Sequence, residues 1–238
     1  MEIDNIYNID CLEYMRTLPD KAFQLAIADP PYGIGATTAN FMRKGKQTGK
    51  SLAVSGTTYT AKAWDKSAPD KEFFRELCRV SQHQILWGAN HYIENLPKQN
   101  ASCWIVWDKK TGDNLYADCE LAWTSFDSAV RKFDFMWKGM FQENMANKEE
   151  RIHPTQKPVA LYAWILKHYA KPGDRIFDPM MGSQLSRIAA YKMGFDYVGC
   201  ELDKEYFDKG CERFNRECKG EITTKDGSVI KQMSLFDL

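Results

Sequence analysis

The sequence predicts an α/β domain in which helices cover both faces of a mostly parallel sheet. Three observations point there. Short runs rich in β-branched and aromatic residues alternate along the chain with stretches of helical spacing, the pattern of strand, crossover helix and strand. Glycine and proline punctuate the junctions, as at Pro172-Gly173. The length of 238 residues, with 44% apolar and 27% charged residues, suits one soluble globular domain with a well-buried core.

Seven strands are expected, at 6–8, 24–28, 84–87, 104–107, 120–125, 175–178 and 197–201. Trp87, Trp104, Trp107 and Trp123 fall in these runs and are assigned to the core or its rim. Helical spacing over 70–80 puts Phe73, Leu77 and Val80 on one face. Over 158–170 it does the same for Tyr162, Leu166 and Tyr169, with Pro158 in the first turn. Further helices are expected over 184–193 and 203–217, the latter presenting Phe207, Cys211 and Phe214. Two irregular stretches, about 33–66 and 136–152, exceed the usual connection length and are expected to cover a site or touch a partner. The domain is placed at 1–220 and a tail at 221–238.

Several function classes are disfavoured. The opening Met1-Glu2-Ile3-Asp4-Asn5 has no apolar run, and no stretch has the length of a membrane span, so neither secretion nor membrane insertion is expected. Seven cysteines form no Cys-x-x-Cys pair and are odd in number, against a zinc site and a disulfide framework. A reducing cytoplasm is the expected compartment. Thirty-two basic and 32 acidic residues cancel, so affinity for nucleic acid has to come from a local patch. From 37 to 62 the chain carries Arg43, Lys44, Lys46, Lys50 and Lys62 with no acid among them, a pattern also met in solvated surface loops.

The strand 24–28 ends in Asp29-Pro30-Pro31-Tyr32. Two prolines remove successive backbone donors, so the Asp29 carboxylate and the Pro30 carbonyl are presented as acceptors without competing N–H groups. Tyr32 adds a stacking face, and the set suits a flat ring bearing an amino group. A second strand runs into Asp178-Pro179-Met180-Met181-Gly182-Ser183, a small-residue turn leading to a helix N-terminus. Twenty-three residues past Asp178, the next strand ends at Glu201. An acid at that position is where nucleotide-binding sheets hold ribose hydroxyls. The turn lacks the Gly-x-Gly-x-x-Gly run of dinucleotide sites, which argues against a dehydrogenase. Between the two lies Arg151-Ile152-His153-Pro154-Thr155-Gln156-Lys157-Pro158, a polar turn entering a helix.

With its Asp-Pro-Pro-Tyr run, then His-Pro-Thr-Gln-Lys-Pro, then the 178–183 turn, the chain resembles the beta group of DNA amino-methyltransferases. The likeness extends from Asn8 to about Phe214. It implies a Rossmann-like S-adenosylmethionine-dependent methyltransferase fold in circularly permuted motif order. It also implies methyl transfer to adenine N6 or cytosine N4 in double-stranded DNA. Under the resemblance, Asp29, Pro30, Pro31 and Tyr32 are catalytic, and Asp178, Pro179, Met180, Gly182 and Ser183 border the methionine part of the cofactor. Glu201 takes its ribose, Asp10 and Cys11 its adenine, and Thr155, Gln156 and Lys157 its carboxylate end. Asp10 followed by Glu13 is also a helix capping box, and His153 is assigned to shaping its turn.

The family more often has Phe at Met180 and Gly at Gln184, so this turn is bulkier. That departure leaves open a catalytically silent DNA- or clamp-binding protein of the same fold. Methylation at cytosine C5 uses a Pro-Cys thiolate, and no cysteine here follows a proline. Asp29, where cytosine-N4 members more often have Ser, favours adenine. Arg43, Lys44, Lys46 and Lys50 are assigned to DNA phosphates, with Lys109, Lys110, Arg131, Lys132 and Lys138 as additional candidates. Gln232, Leu235 and Phe236 follow a polar stretch, 223–231, read as a flexible linker. They resemble the short peptides that dock on the bacterial sliding clamp; a tail folded back on its own domain fits equally. A homodimer is expected from the beta group.

Overall fold

The computed structural model describes residues 4–34, 67–112, 117–138, 141–146, 148–153, 155–223 and 227–231. In chain order its elements are β1 (Asp4–Tyr7), α1 (Cys11–Arg16), β2 (Phe23–Ala28), α2 (Lys71–Val80), β3 (Ser81–Trp87), β4 (Trp104–Asp108), β5 (Cys119–Thr124), β6 (Arg131–Asp134), β7 (Trp137–Lys138), β8 (Phe141–Gln142), α3 (Val159–Tyr169), β9 (Arg175–Asp178), α4 (Leu185–Met193), β10 (Asp196–Cys200), α5 (Lys204–Phe214), β11 (Glu221–Thr223) and β12 (Val229–Lys231). Two compact units divide them: residues 1–28, 76–84 and 156–238 form the first, and 29–75 and 85–155 the second.

In the first unit the strands run in the order β1-β10-β9-β2, all parallel. Parallel strands are covered on both faces and read as continuous apolar runs. Accordingly Leu25, Ala26, Ile27 and Ala28 of β2 are all buried, as are Ile176 and Phe177 of β9. Phe23 and Phe177 stack with ring centres 4.5 Å apart at 8°. The register sets Leu25 against Ile176 and Ala26 against Phe177.

Asp10 caps α1, its Oδ1 accepting from the N–H groups of Leu12 (2.9 Å) and Glu13 (3.1 Å). Arg79 braces the other end by donating to the carbonyl of Met15 (2.7 Å) and to that of Leu18 just past the helix (2.8 Å). Asp203 caps α5 in the same way as Asp10. After Phe214 that helix widens into a π-helical turn, Asn215–Lys219, and stops at Gly220 with φ +66°. The polar stretch expected as a linker, 223–231, takes in the last residue of β11 and all of β12, which pair antiparallel.

In the second unit β5 pairs antiparallel with β3 and with β4, and β6 pairs parallel with β4. Trp87, Trp107 and Trp123 are buried here, Trp87 and Trp107 meeting edge to face at 6.4 Å. β6 corresponds to none of the seven expected strands. Its sequence, Arg131-Lys132-Phe133-Asp134, carries one apolar residue, too few for an alternation to register.

The stretch 136–152, expected to be irregular, contains the β7–β8 hairpin. The Gln142 side chain then takes the place of a strand, donating to the Glu149 carbonyl (2.9 Å) and accepting from the Glu149 N–H (2.8 Å). Among the described residues no helix is long and apolar enough to cross a membrane.

Candidate active site

The turn after β2 belongs to the second unit. Tyr32 Oη donates to Asp29 Oδ1 at 2.7 Å, so the ring and the carboxylate hold one another across the two prolines. The ring lies against Gly88, whose φ of +68° and missing side chain are both needed: a Cβ there would sit 2.0 Å from Tyr32 Cε1. His91 stacks on the same ring, with centres 5.1 Å apart at 16°. Tyr92 donates to the Trp87 carbonyl and stacks on Phe74 at 5.2 Å.

Burial, and then the Asp29 charge, push the phenols of Tyr32 and Tyr92 well above the usual tyrosine range. Both therefore remain protonated hydrogen-bond donors at neutral pH. Gly88, His91 and Tyr92 were not singled out from sequence. The signal available for them was a glycine directly after the apolar run Ile85-Leu86-Trp87.

The turn after β9 belongs to the first unit. Asp178 is 3% exposed. Its Oδ1 accepts from the Met180 N–H at 3.0 Å, and its Oδ2 accepts from the Ser186 hydroxyl, which also meets Tyr197 Oη at 2.8 Å. Glu201 reaches back into the turn. Its Oε2 accepts from the Gly182 N–H and its Oε1 from the Asp203 N–H, each at 2.8 Å. Gly182 has φ +51°, in the left-handed region. Pro179 and Ser183 are buried and Met180 is half-buried.

Among the residues that the resemblance assigned to the cofactor, Asp178 is thus bonded to Met180 and Glu201 to Gly182. Cys11 is buried, and burial together with the neighbouring Asp10 charge pushes its thiol up to about 12. Burial also raises the Cys200 thiol.

Of the linking turn, Thr155 is exposed, and its N–H donates to His153 Nδ1 at 3.4 Å. Gln156 and Lys157 are each 3% exposed. The candidate cations of the second unit are largely engaged by acids: Lys109 with Glu120 (2.5 Å), Lys110 with Glu143 (3.5 Å), and Lys132 with both Asp108 (2.9 Å) and Asp134 (2.8 Å). Each of these lysines would have to share its acid or leave it to meet a phosphate. Arg43, Lys44, Lys46 and Lys50 lie outside the described residues, as do Gln232, Leu235 and Phe236.

Residues 108–212 match the family model of the DNA methylases that act at N6 or N4 positions. The Type II methyltransferase M.HinfI of Haemophilus influenzae is 27% identical over 91% of this chain and 69% of its own length. Among solved structures, the M1.HpyAVI–SAM complex matches with a TM-score of 0.54 at 19% identity, covering 88% of this chain and 98% of that one. The PvuII DNA methyltransferase (cytosine-N4-specific) matches with a TM-score of 0.55 at 12% identity, covering 93% and 95%. These structural likenesses establish the α/β fold of the methyltransferases. The family model and the Type II relative add that the chain is similar in sequence to DNA methylases of the N6/N4 family.

Proposed function

We propose that the chain transfers the methyl group of S-adenosylmethionine to the exocyclic N6 amino group of adenine in double-stranded DNA. The observation that carries this reading is the register of β2 and β9. They are parallel neighbours, with Ala26 against Phe177, and each runs into an acidic turn. Asp29 is one peptide bond beyond Ala28, and Asp178 is the last residue of β9. In open α/β sheets, ligands gather at the carboxyl ends of such strands.

The residues of the first unit suit the cofactor. Glu201 already draws the 178–183 turn to the end of β10, and each of its carboxylate oxygens has lone pairs for more than one hydrogen bond, as a ribose diol requires. Asp178, Pro179, Met180, Gly182 and Ser183 are assigned to the methionine part, Asp10 and Cys11 to the adenine, and Thr155, Gln156 and Lys157 to the carboxylate end. When bound, the cofactor supplies an electrophilic methyl group on a sulfonium.

The chain's part in the reaction is to prepare the amine. The target nitrogen is a poor nucleophile because its lone pair is delocalised into the ring. Hydrogen bonds donated to the Asp29 carboxylate and the Pro30 carbonyl draw that nitrogen toward tetrahedral geometry, and the rest is positioning. Tyr32 orients the carboxylate through its 2.7 Å bond and offers its ring to the extruded base. Extrusion costs a few kcal/mol of unstacking, which stacking partly offsets. Burial pushes the Cys11 thiol up to about 12, so it stays protonated at neutral pH.

Asp29 supports adenine as the target. The alternative, cytosine N4, draws its support from the likeness to the cytosine-N4-specific PvuII enzyme. The Type II relative supports a place in restriction-modification. The free cysteines fit a cytoplasmic setting. Phosphate contact by Arg43, Lys44, Lys46 and Lys50, clamp docking by the tail and a homodimer remain parts of the proposal carried by sequence alone.

The test is incubation with labelled S-adenosylmethionine and mixed-sequence duplex DNA, followed by digestion to nucleosides. Label in N6-methyladenine is the expected result. Label in N4-methylcytosine selects the alternative, and DNA binding without incorporation contradicts both.

A further inference from the structure

Gln184 stands where the 178–183 turn enters α4, with φ +58° and ψ +31°. Glycine adopts this left-handed conformation freely and other residues adopt it at a cost. The residue is nevertheless 0% exposed, and its amide is fully engaged. Nε2 donates to the Phe207 carbonyl of α5 at 2.9 Å and meets Cys211 Sγ at 3.4 Å. Oε1 accepts from Arg187 Nη1 at 2.8 Å. Arg187 in turn holds Asp4 of β1 through two bonds, 2.8 and 2.7 Å, and its guanidinium lies 3.6 Å from the centre of the Phe214 ring.

Room for the side chain comes from Gly210. A Cβ at that position would sit 2.6 Å from Gln184 Cγ and 2.7 Å from its Cδ and Nε2. The small residue that a left-handed turn would ordinarily take is thus found on the facing helix, and the turn carries the side chain that fills the space. Through the main chain the same residue grips both neighbours: its N–H donates to the Met181 carbonyl (2.8 Å) and its carbonyl accepts from the Ile188 N–H (3.0 Å). The extra bulk at this position is directed at α5.

We propose that Gln184 is the positioning residue of the cofactor turn: its amide, seated on Gly210 and braced by Arg187, sets the path of residues 178–183 and with it the affinity for S-adenosylmethionine. The inference rests on the reading that this turn holds the cofactor. Gln184→Gly keeps the backbone conformation without strain while removing the tie to α5. Gly210→Ala keeps the tie's partner but drives a methyl group into it.

The test is calorimetric titration of the full chain with S-adenosylmethionine, beside steady-state methylation of duplex DNA and circular dichroism to verify the fold. Gln184→Gly is expected to weaken cofactor binding about tenfold while kcat at saturating cofactor stays within about twofold. Gly210→Ala is expected to weaken binding as well, and the double variant to bind no worse than the weaker single one, because the new methyl group then meets no side chain. Binding by Gln184→Gly equal to that of the unaltered chain, or losses that simply add in the double variant, would overturn the inference alone. Failure of the unaltered chain to bind the cofactor would overturn the functional reading and this inference with it. Should Gly210→Ala not fold, the Gln184→Gly titration decides.

Discussion

Tyr32 and Gly88 are one functional unit made of two residues, since the ring can lie where it does only because the glycine has no side chain and turns left-handed. Gly88→Ala meets both obstacles at once, a φ of +68° and a 2.0 Å approach to the ring. Backbone strain and overpacking together place the loss of stability at about 2 kcal/mol or more, read from urea unfolding. Methyl transfer is expected to fall with it. Tyr32→Phe asks a finer question: it keeps the ring against Gly88 and His91 but removes the donor to Asp29. Unfolding is expected to change little while transfer drops about tenfold, the scale of one hydrogen bond to a charged group. Unchanged kcat in Tyr32→Phe would mean that the carboxylate is oriented by other contacts.

At the scale of the element, the caps carry the definite predictions. Asp203 accepts from Glu205 and Tyr206 at the start of α5, and its own N–H is held by Glu201. Asp203→Ala is expected to cost about 1 kcal/mol, the usual worth of an N-cap, in a urea titration. Because alanine keeps the backbone N–H that Glu201 holds, cofactor affinity is expected to change by less than about twofold in the same variant.

Strands with buried, continuous apolar runs were legible in the sequence: 175–178 matches β9 to the residue, and 24–28 differs from β2 by one position. So were the acids that end them, because acid, turn and helix follow a strand in a recognisable order. β6 was not legible, since its residues are nearly all exposed and polar and give no apolar alternation. Nor was the order within 136–152, where a side-chain amide of Gln142 performs the pairing that backbone usually performs. Long-range partnerships such as Gln184 with Gly210 have no signature in local spacing at all.

For the molecule as a whole, the formal charge is zero, so DNA affinity by way of the basic 37–62 stretch is expected to be local and to fall steeply with salt. Alkaline stability follows from the thiols. Burial raises Cys11 from an ordinary 9.0 to about 12 and Cys218 from 9.0 to about 11. A group whose folded value is raised stabilises the fold fully below its unfolded value, and that contribution is lost as pH climbs through the folded one. Unfolding midpoints are therefore expected to be flat up to about pH 8.5 and to fall between about pH 9 and pH 12. Cys11→Ala should make that fall shallower.

Under the proposed function Asp29 acts on the amine and leaves cofactor binding to other residues. Its most direct test is Asp29→Ala, with cofactor affinity and methyl incorporation into duplex DNA measured on the same preparation. Affinity is expected within about twofold of the unaltered chain and the transfer rate lower by about a hundredfold or more; transfer at the unaltered rate would remove Asp29 from the chemistry.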